Sequence, residues 1–399
     1  MKKPNLEEKE FIKENIKSDT RKLLLQSHNE NIDIKLCVRQ IDGYRKALEK
    51  FPLLFSNEDI IFPKKLNLEQ SSSEQTAKYK ASIFPSESTL RDLTSGFGID
   101  DIFFAIKLKK VYYHERDIEL ADIAENNFDA LSLRNIEAIK GNSLNYISEF
   151  EETDIIYLDP SRRNENQKKI ILLEDSDPYI VDLIPKLFNK TKTIALKLSP
   201  MLEIKSLIRE ISNIKEIHII SVRNECKELF VILEKNYKGE IKYHCIDFDS
   251  NNKLIEFTFT NTLASPNIAS KNEIQRDGFL YEPNSSVMKA GGYHIITEHF
   301  PIKKIATRSH LFISKDEIKD FPGRTFIIRT TFPYKNKNIK TLSQRYTKAN
   351  ITIRNFPQMV AEIRKRTGIK DGGNDYLFFT TNSDNEKIII GCEKLETIS

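Results

Sequence analysis

Between about residues 86 and 237 short apolar runs alternate with amphipathic ones, and this alternation restricts the fold more than any other feature of the chain. "TLRDLTSG" reads as a strand and turn, "IDDIFFAIKLKK" as a helix, "VYYHE" as a strand, "DIELADIAENNF" as a helix and "IEAIKGN" as a short strand. "DIIYLDP", "YIVDLIPKLFN", "TIALKLSP" and "SLIREIS" continue as strand, helix, strand and helix. "EIHIISV" and "ELFVILEK" then follow each other as two strands. Such a series specifies an α/β fold, with a largely parallel sheet and helices on both faces.

The flanks differ. Up to about residue 65, "EEKEFIKENI", "TRKLLLQS" and "LCVRQIDGYRKALEKF" space apolar residues three and four apart, which predicts helices. Pro52 and Pro63 punctuate their end, and the cluster Ser71-Ser72-Ser73 before Glu74 marks a loop or a helix start. After Tyr237 the pattern turns to strand and loop, and the last part predicts a small α+β unit. Its expected strands are "RTFIIRTTF", "ANITIRNF", "DYLFFTT" and "EKIIIGCEK", and its helix is "QMVAEIRKRTG".

Charge is distributed unevenly. From Phe321 to Lys370 there are twelve Lys or Arg and one acid, Glu362, so this stretch carries +11 against −7 for the remainder. A basic module on an acidic body suits a polyanion, RNA above all; a solvated surface that lacks acids is the other reading. The N-terminus has no apolar stretch of signal type, and no run approaches membrane-spanning length. The four cysteines, Cys37, Cys226, Cys245 and Cys392, are scattered without a C-x-x-C pair. The expectation is a cytoplasmic protein with no metal site and no membrane partner.

"DLTSGFGID" places Gly96 and Gly98 between a strand and a helix, where a backbone can approach a ligand closely. Glu115, at the end of the next strand, can accept both hydroxyls of a ribose. The third glycine of a dinucleotide fingerprint is missing, because position 101 is Asp101. Asp100 and Asp101 at the helix start repel a pyrophosphate and suit a cofactor with an amino acid and a sulfonium. The pattern favours S-adenosylmethionine over NAD. Asn142 and Ser143, in "IKGNSL", either bond the adenine edge or form a simple turn.

In "IIYLDPSRR", Asp159 emerges at a strand end and Pro160 fixes the chain direction. The Asp159 carboxylate and the Pro160 carbonyl are two adjacent acceptors that suit an exocyclic amine facing a methyl donor. Arg162 and Arg163 either grip a phosphate or form a surface pair. Ser161 stands where an aromatic platform for a base would be useful. The strand "LKLSP" ends in Ser199 rather than a cysteine, which argues against covalent methylation of a pyrimidine carbon.

Taken together, "DLTSGFGID", "HE", "IYLDPSRR" and "ALKLSPML" resemble class I S-adenosylmethionine-dependent methyltransferases. "GFLYEPNSSVMKAGGY" and "HLFISKDEIKDFPGR" are similar to the ferredoxin-like stretch of a bacterial group that ends in a THUMP-like domain. "IRNFPQMVAEIRKRTGIKDGGNDYLFFTT" is similar to the THUMP-like domain itself. The resemblance implies a Rossmann-like methyltransferase sheet with a helical N-terminal region and small α+β C-terminal domains. The expected boundaries are 1–70 (helical), 71–237 (methyltransferase), 238–275 (β-rich connector), 276–320 (ferredoxin-like) and 321–399 (THUMP-like). It also implies S-adenosylmethionine held by Asp92, Gly96, Gly98, Glu115 and Asn142, to which the reading of the residues adds Thr94 and Ser143. Asp159 and Pro160 would face the acceptor, an exocyclic nitrogen of a base in tRNA or rRNA, and Arg162 and Arg163 would hold the RNA. The alternatives are a non-catalytic RNA-binding protein that keeps the fold, or an NAD-dependent oxidoreductase.

Overall fold

The first sheet includes β1 (Thr89–Asp92), β2 (Lys110–Glu115), β3 (Ile136–Lys140), β4 (Ile155–Leu158), β5 (Thr193–Leu198), β6 (Ile214–Val222) and β7 (Glu225–Glu234). The computed structural model describes residues 2–25, 31–160, 173, 179–260 and 267–395. The strand order is β3-β2-β1-β4-β5-β7-β6. β1 pairs in parallel with β2 and β4, and β4 with β5, whereas β7 runs antiparallel to β5. The helices Ile99–Lys107, Ile118–Ala130, Ile180–Leu187 and Ile204–Glu210 make the crossovers. The α/β reading of the alternation therefore holds, including the two consecutive final strands. Every residue of β4 is buried, as expected of a central strand covered on both faces. The strand order reverses between β1 and β4, which leaves a crevice at their carboxyl ends.

The chain divides into two compact units, Met1–Ile217 with Glu228–Gly239, and His218–Lys227 with Glu240–Ser399. The N-terminal helices belong to the first. The Leu6–Asn15 helix opens with a capping box: Glu8 N donates to Asn5 Oδ1 at 2.9 Å and Asn5 N to Glu8 Oε2 at 2.8 Å. Gly43 sits in the middle of the Ile34–Lys50 helix, where glycine is ordinarily unfavourable. The cause is Phe62, whose Cβ would lie 2.3 Å from a Cβ at position 43. Phe51 and Phe62 in turn pack on Phe97, with ring centroids 6.3 and 6.5 Å away. The Asn127 side chain accepts from Ile61 N at 2.8 Å and donates to Ile61 O at 2.9 Å. The Glu74–Ser82 helix begins at Ser73, which accepts from Thr76 N, so the serine cluster is a helix start.

In the second unit β8 (Lys242–Phe248) and β9 (Leu254–Thr260) form an antiparallel hairpin. β10 (Phe279–Pro283), β11 (Lys303–Lys304), β12 (Phe312–Ser314), β13 (Gly323–Pro333), β14 (Asn350–Arg354), β15 (Asp375–Thr381) and β16 (Lys387–Lys394) form one sheet, ordered β11-β12-β10-β13-β16-β15-β14. Its side chains alternate between two cores. Phe378 and Ile390 join Leu280 and Phe326 in one core, while Leu377, Phe379 and Ile389 join Leu342 and Ile363 in the other. Leu342 comes from the Asn336–Arg345 helix, which the sequence pattern does not announce because only Ile339 and Leu342 are buried along it. Among the described residues no helix is long and apolar enough to cross a membrane.

Candidate functional site

After Asp92 the chain turns through Thr94, Ser95, Gly96, Phe97 and Gly98 into the Ile99–Lys107 helix. Gly96 and Gly98 have φ of +58° and +79°, left-handed values that other residues adopt only at a cost. A Cβ on Gly96 would meet nothing within 4 Å, and the same is true of Gly141, at the end of β3. Two backbone segments thus face open space closely. Glu115 holds the turn: its Oε2 accepts from Gly96 N at 2.8 Å and its Oε1 from Asp117 N at 2.7 Å. The Tyr113 hydroxyl donates to Gly96 O at 2.7 Å. Thr94 Oγ1 accepts from Asp159 N at 2.6 Å, which ties the turn to the end of β4.

A cavity of about 360 Å³ opens over these strand ends. Of the residues expected to bind cofactor or acceptor, Thr94, Gly96, Gly98, Glu115, Asn142, Ser143, Asp159 and Pro160 all line it. Asn142 caps the 3-10 turn after β3, its side chain accepting from Leu144 N. Ser143 is buried and its hydroxyl donates to Leu93 O at 2.9 Å, so its proton is already committed. Asp92 is placed differently: it is 1% exposed, lies beneath the wall and accepts from Thr94 N at 2.7 Å. It supports the turn from below rather than facing the cavity. Arg162 and Arg163 lie outside the described residues.

Charged groups lie under and beside the cavity, and of these the sequence pattern did not single out Lys80, Lys197 or Glu228. Lys80 is fully buried, with its Nζ 3.0 Å from Asp100 Oδ1 and 2.9 Å from Glu228 Oε1, and it donates to Ser72 Oγ at 2.8 Å. Tyr157 and Ser72 donate to Asp100 Oδ2, each at 2.8 Å. Lys197, on β5, is 2% exposed; its Nζ bonds Asp159 Oδ2 and lies 3.6 Å from Asp100 Oδ2. Burial works to raise the Asp100 carboxyl, but the two lysines outweigh it and hold it below the ordinary range. Asp92 and Asp101 behave oppositely. Burial, with neighbouring carboxylates, pushes both well up, and the two hydrogen-bond each other. Of the two acids at the helix start, Asp100 is paired with lysines, whereas the Asp101 carboxyl is pushed well above the ordinary range. A sequence signal for Lys197 existed: a lysine inside the buried strand "TIALKLSP" requires a partner.

The cavity fits the cofactor expected from the turn. Gly96 and Gly141 leave room for a ligand against the backbone, and Glu115 retains acceptor capacity beyond its two bonds. Asp100, Glu115, Asp117 and Asp159 outnumber Lys197 and Arg116 along the wall. That balance favours a cation-bearing ligand over a pyrophosphate.

Residues 323–394 match the family model of a THUMP domain-like unit, and residues 279–322 that of a ferredoxin-like domain. The crystal structure of a "putative methyltransferase" from Porphyromonas gingivalis is similar over 98% of each chain, with 27% identity and a TM-score of 0.86. An rRNA methylase from Streptococcus thermophilus matches 40% of this chain and 93% of its own, at 18% identity and a TM-score of 0.31. TrmK of M. capricolum, in complex with S-adenosyl-homocysteine, matches 40% of this chain and 68% of its own, at 14% identity and a TM-score of 0.32. No curated protein matches the chain. The chain thus combines a methyltransferase-type α/β sheet with ferredoxin-like and THUMP-like domains.

Proposed function

We propose that the chain is an S-adenosylmethionine-dependent methyltransferase that modifies a structured RNA, tRNA or rRNA, in the cytoplasm. The observation that carries this reading is the cavity over β1 to β4, where the Gly96 turn, Glu115, Asn142 and Asp159 converge. S-adenosylmethionine, when bound, supplies an electrophilic methyl group on a sulfonium. Gly96 and Gly98 let the backbone lie against its amino-acid portion, with Asp92 bracing Thr94 from below. Glu115 accepts from the ribose hydroxyls, and Asn142 and Ser143 lie where the adenine edge would rest. Asp159 and Pro160 face the acceptor.

The second unit supports an RNA partner. Of its twelve basic residues between 321 and 370, Arg324, Arg329, Arg354 and Arg364 are paired with carboxylates. Lys335, Lys337, Lys340, Arg345, Lys348, Lys365 and Lys370 are exposed and pair with no carboxylate among the described residues. If about six cations meet phosphates of single-stranded RNA, the log–log slope of affinity against salt is about −4.

Calorimetry with S-adenosylhomocysteine tests the cofactor half: heat with wild type and little with Gly96→Val is expected, and no heat with wild type would refute it. A salt titration of RNA binding tests the other half, and a flat titration would remove the RNA partner.

A further inference from the structure

Resting on the methyltransferase reading just given, we infer that the acceptor is a hydroxyl oxygen, a ribose 2′-OH of the RNA, activated by Asp159 and Lys197 together. Two adjacent acceptors, the Asp159 carboxylate and the Pro160 carbonyl, taken alone predict an exocyclic amine. The structure adds a donor. β4 and β5 run in parallel with Leu158 opposite Leu196, so the next residues, Asp159 and Lys197, emerge side by side. The Lys197 ammonium bonds the Asp159 carboxylate, and both residues line the cavity with Pro160.

An aromatic exocyclic amine donates two hydrogens and accepts poorly, because its lone pair is spread into the ring. It would meet the Lys197 N–H groups as donor against donor. A hydroxyl donates one hydrogen and accepts through oxygen, which matches one carboxylate beside one ammonium. In the sequence the residue directly after Pro160 is Ser161, not a ring.

The step balances. The hydroxyl oxygen forms the O–CH₃ bond as the methyl–sulfur bond breaks, and the breaking electron pair stays on sulfur, which loses its charge. The hydroxyl proton passes to the Asp159 carboxylate and then to water. The Lys197 ammonium stabilises the negative charge that grows on oxygen. Asp100, 3.6 Å from Lys197 and paired with Lys80, is a positioning residue that fixes where the ammonium sits.

The test compares RNA nucleosides from a strain lacking the gene with those from strains restored by wild type, Lys197→Met or Asp159→Asn. Each protein is also titrated with S-adenosylhomocysteine by calorimetry. The expected result is loss of a nucleoside whose methyl travels with the sugar fragment, and of the matching alkali-resistant linkage. Wild type restores it, and the two variants lower it by about a hundredfold or more, the usual cost of removing a charge-stabilising donor, while both still bind the homocysteine product. A lost nucleoside with its methyl on the base overturns the hydroxyl assignment and leaves the methyltransferase reading standing. Full restoration by Lys197→Met overturns the role of the lysine. Absence of heat with wild type overturns both readings. Asp159, a quarter exposed, provides the second variant should Lys197→Met not fold.

Discussion

Replacing Lys80 by methionine keeps the side-chain length and removes the charge. Lys80 is fully buried between Asp100 and Glu228, at 3.0 and 2.9 Å. At an effective dielectric of about 20 each contact is worth about 5 kcal/mol, set against a desolvation cost of several kcal/mol per ion. The intact network is therefore only modestly stabilising. The variant is another matter, because Glu228 stays buried without its cation and Asp100 keeps only Lys197, at 3.6 Å, for a cost of about 3–5 kcal/mol. For a unit of this size that lowers the melting temperature by about 6–20 °C. Scanning calorimetry of wild type, Lys80→Met, Glu228→Gln and the double variant measures it. Glu228→Gln should cost clearly less in the Lys80→Met background than in wild type, with a coupling of at least about 1.5 kcal/mol. A Lys80→Met loss under about 1 kcal/mol, or additive effects in the cycle, would refute the argument that the carboxylates depend on this cation.

Three further outcomes follow from the same geometry. Gly43→Ala should destabilise by about 1–3 kcal/mol in urea titration, because the added methyl meets Phe62 at 2.3 Å and this outweighs the gain in helix propensity; a stabilised variant would mean that Phe62 moves aside. His114 is pushed down to about 4, first by burial and then by Arg91, whose guanidinium lies 2.8 Å from its Nε2. A histidine that folds neutral contributes stability above its unfolded pKa, about 6.5, and loses it as pH falls through 6.5 toward 4, here up to about 3 kcal/mol. His114→Gln should flatten that part of a stability–pH curve, and an unchanged curve would assign the acid sensitivity elsewhere. Gly96→Ala places a methyl in the cavity at φ +58°, so it should weaken S-adenosylhomocysteine binding at least about tenfold while costing only about 1–2 kcal/mol of stability; equal affinity would show that the ligand does not approach this backbone.

The regular elements of the first unit were legible because burial on a central sheet writes itself as short apolar runs, and "DIIYLDP" is the plainest of them. The strand-end positions of Glu115 and Asp159 followed from those runs. The Asn336–Arg345 helix was not legible, since two buried residues in ten make a faint stripe. The ionic network was hidden for a different reason. Lys80 and Asp100 lie on two helices and Lys197 and Glu228 on two strands, and they meet only through tertiary packing, which no local pattern encodes. For the same reason the local pattern groups Asp159 only with the Pro160 carbonyl, whereas Lys197, one strand away, bonds its carboxylate.

The place of β7 in the sheet has a consequence for how the chain is made. β7 lies between β5 and β6 although it is synthesised after both. A nascent chain that stops at residue 222 has β5 without its antiparallel neighbour β7 and Lys80 without Glu228. The return strand completes the hydrogen bonding and the charge pairing in one insertion. Synthesis of the first unit therefore ends with a strand that inserts between two already made, and a chain stalled before it would leave the β7-facing edge of β5 open to proteases and chaperones.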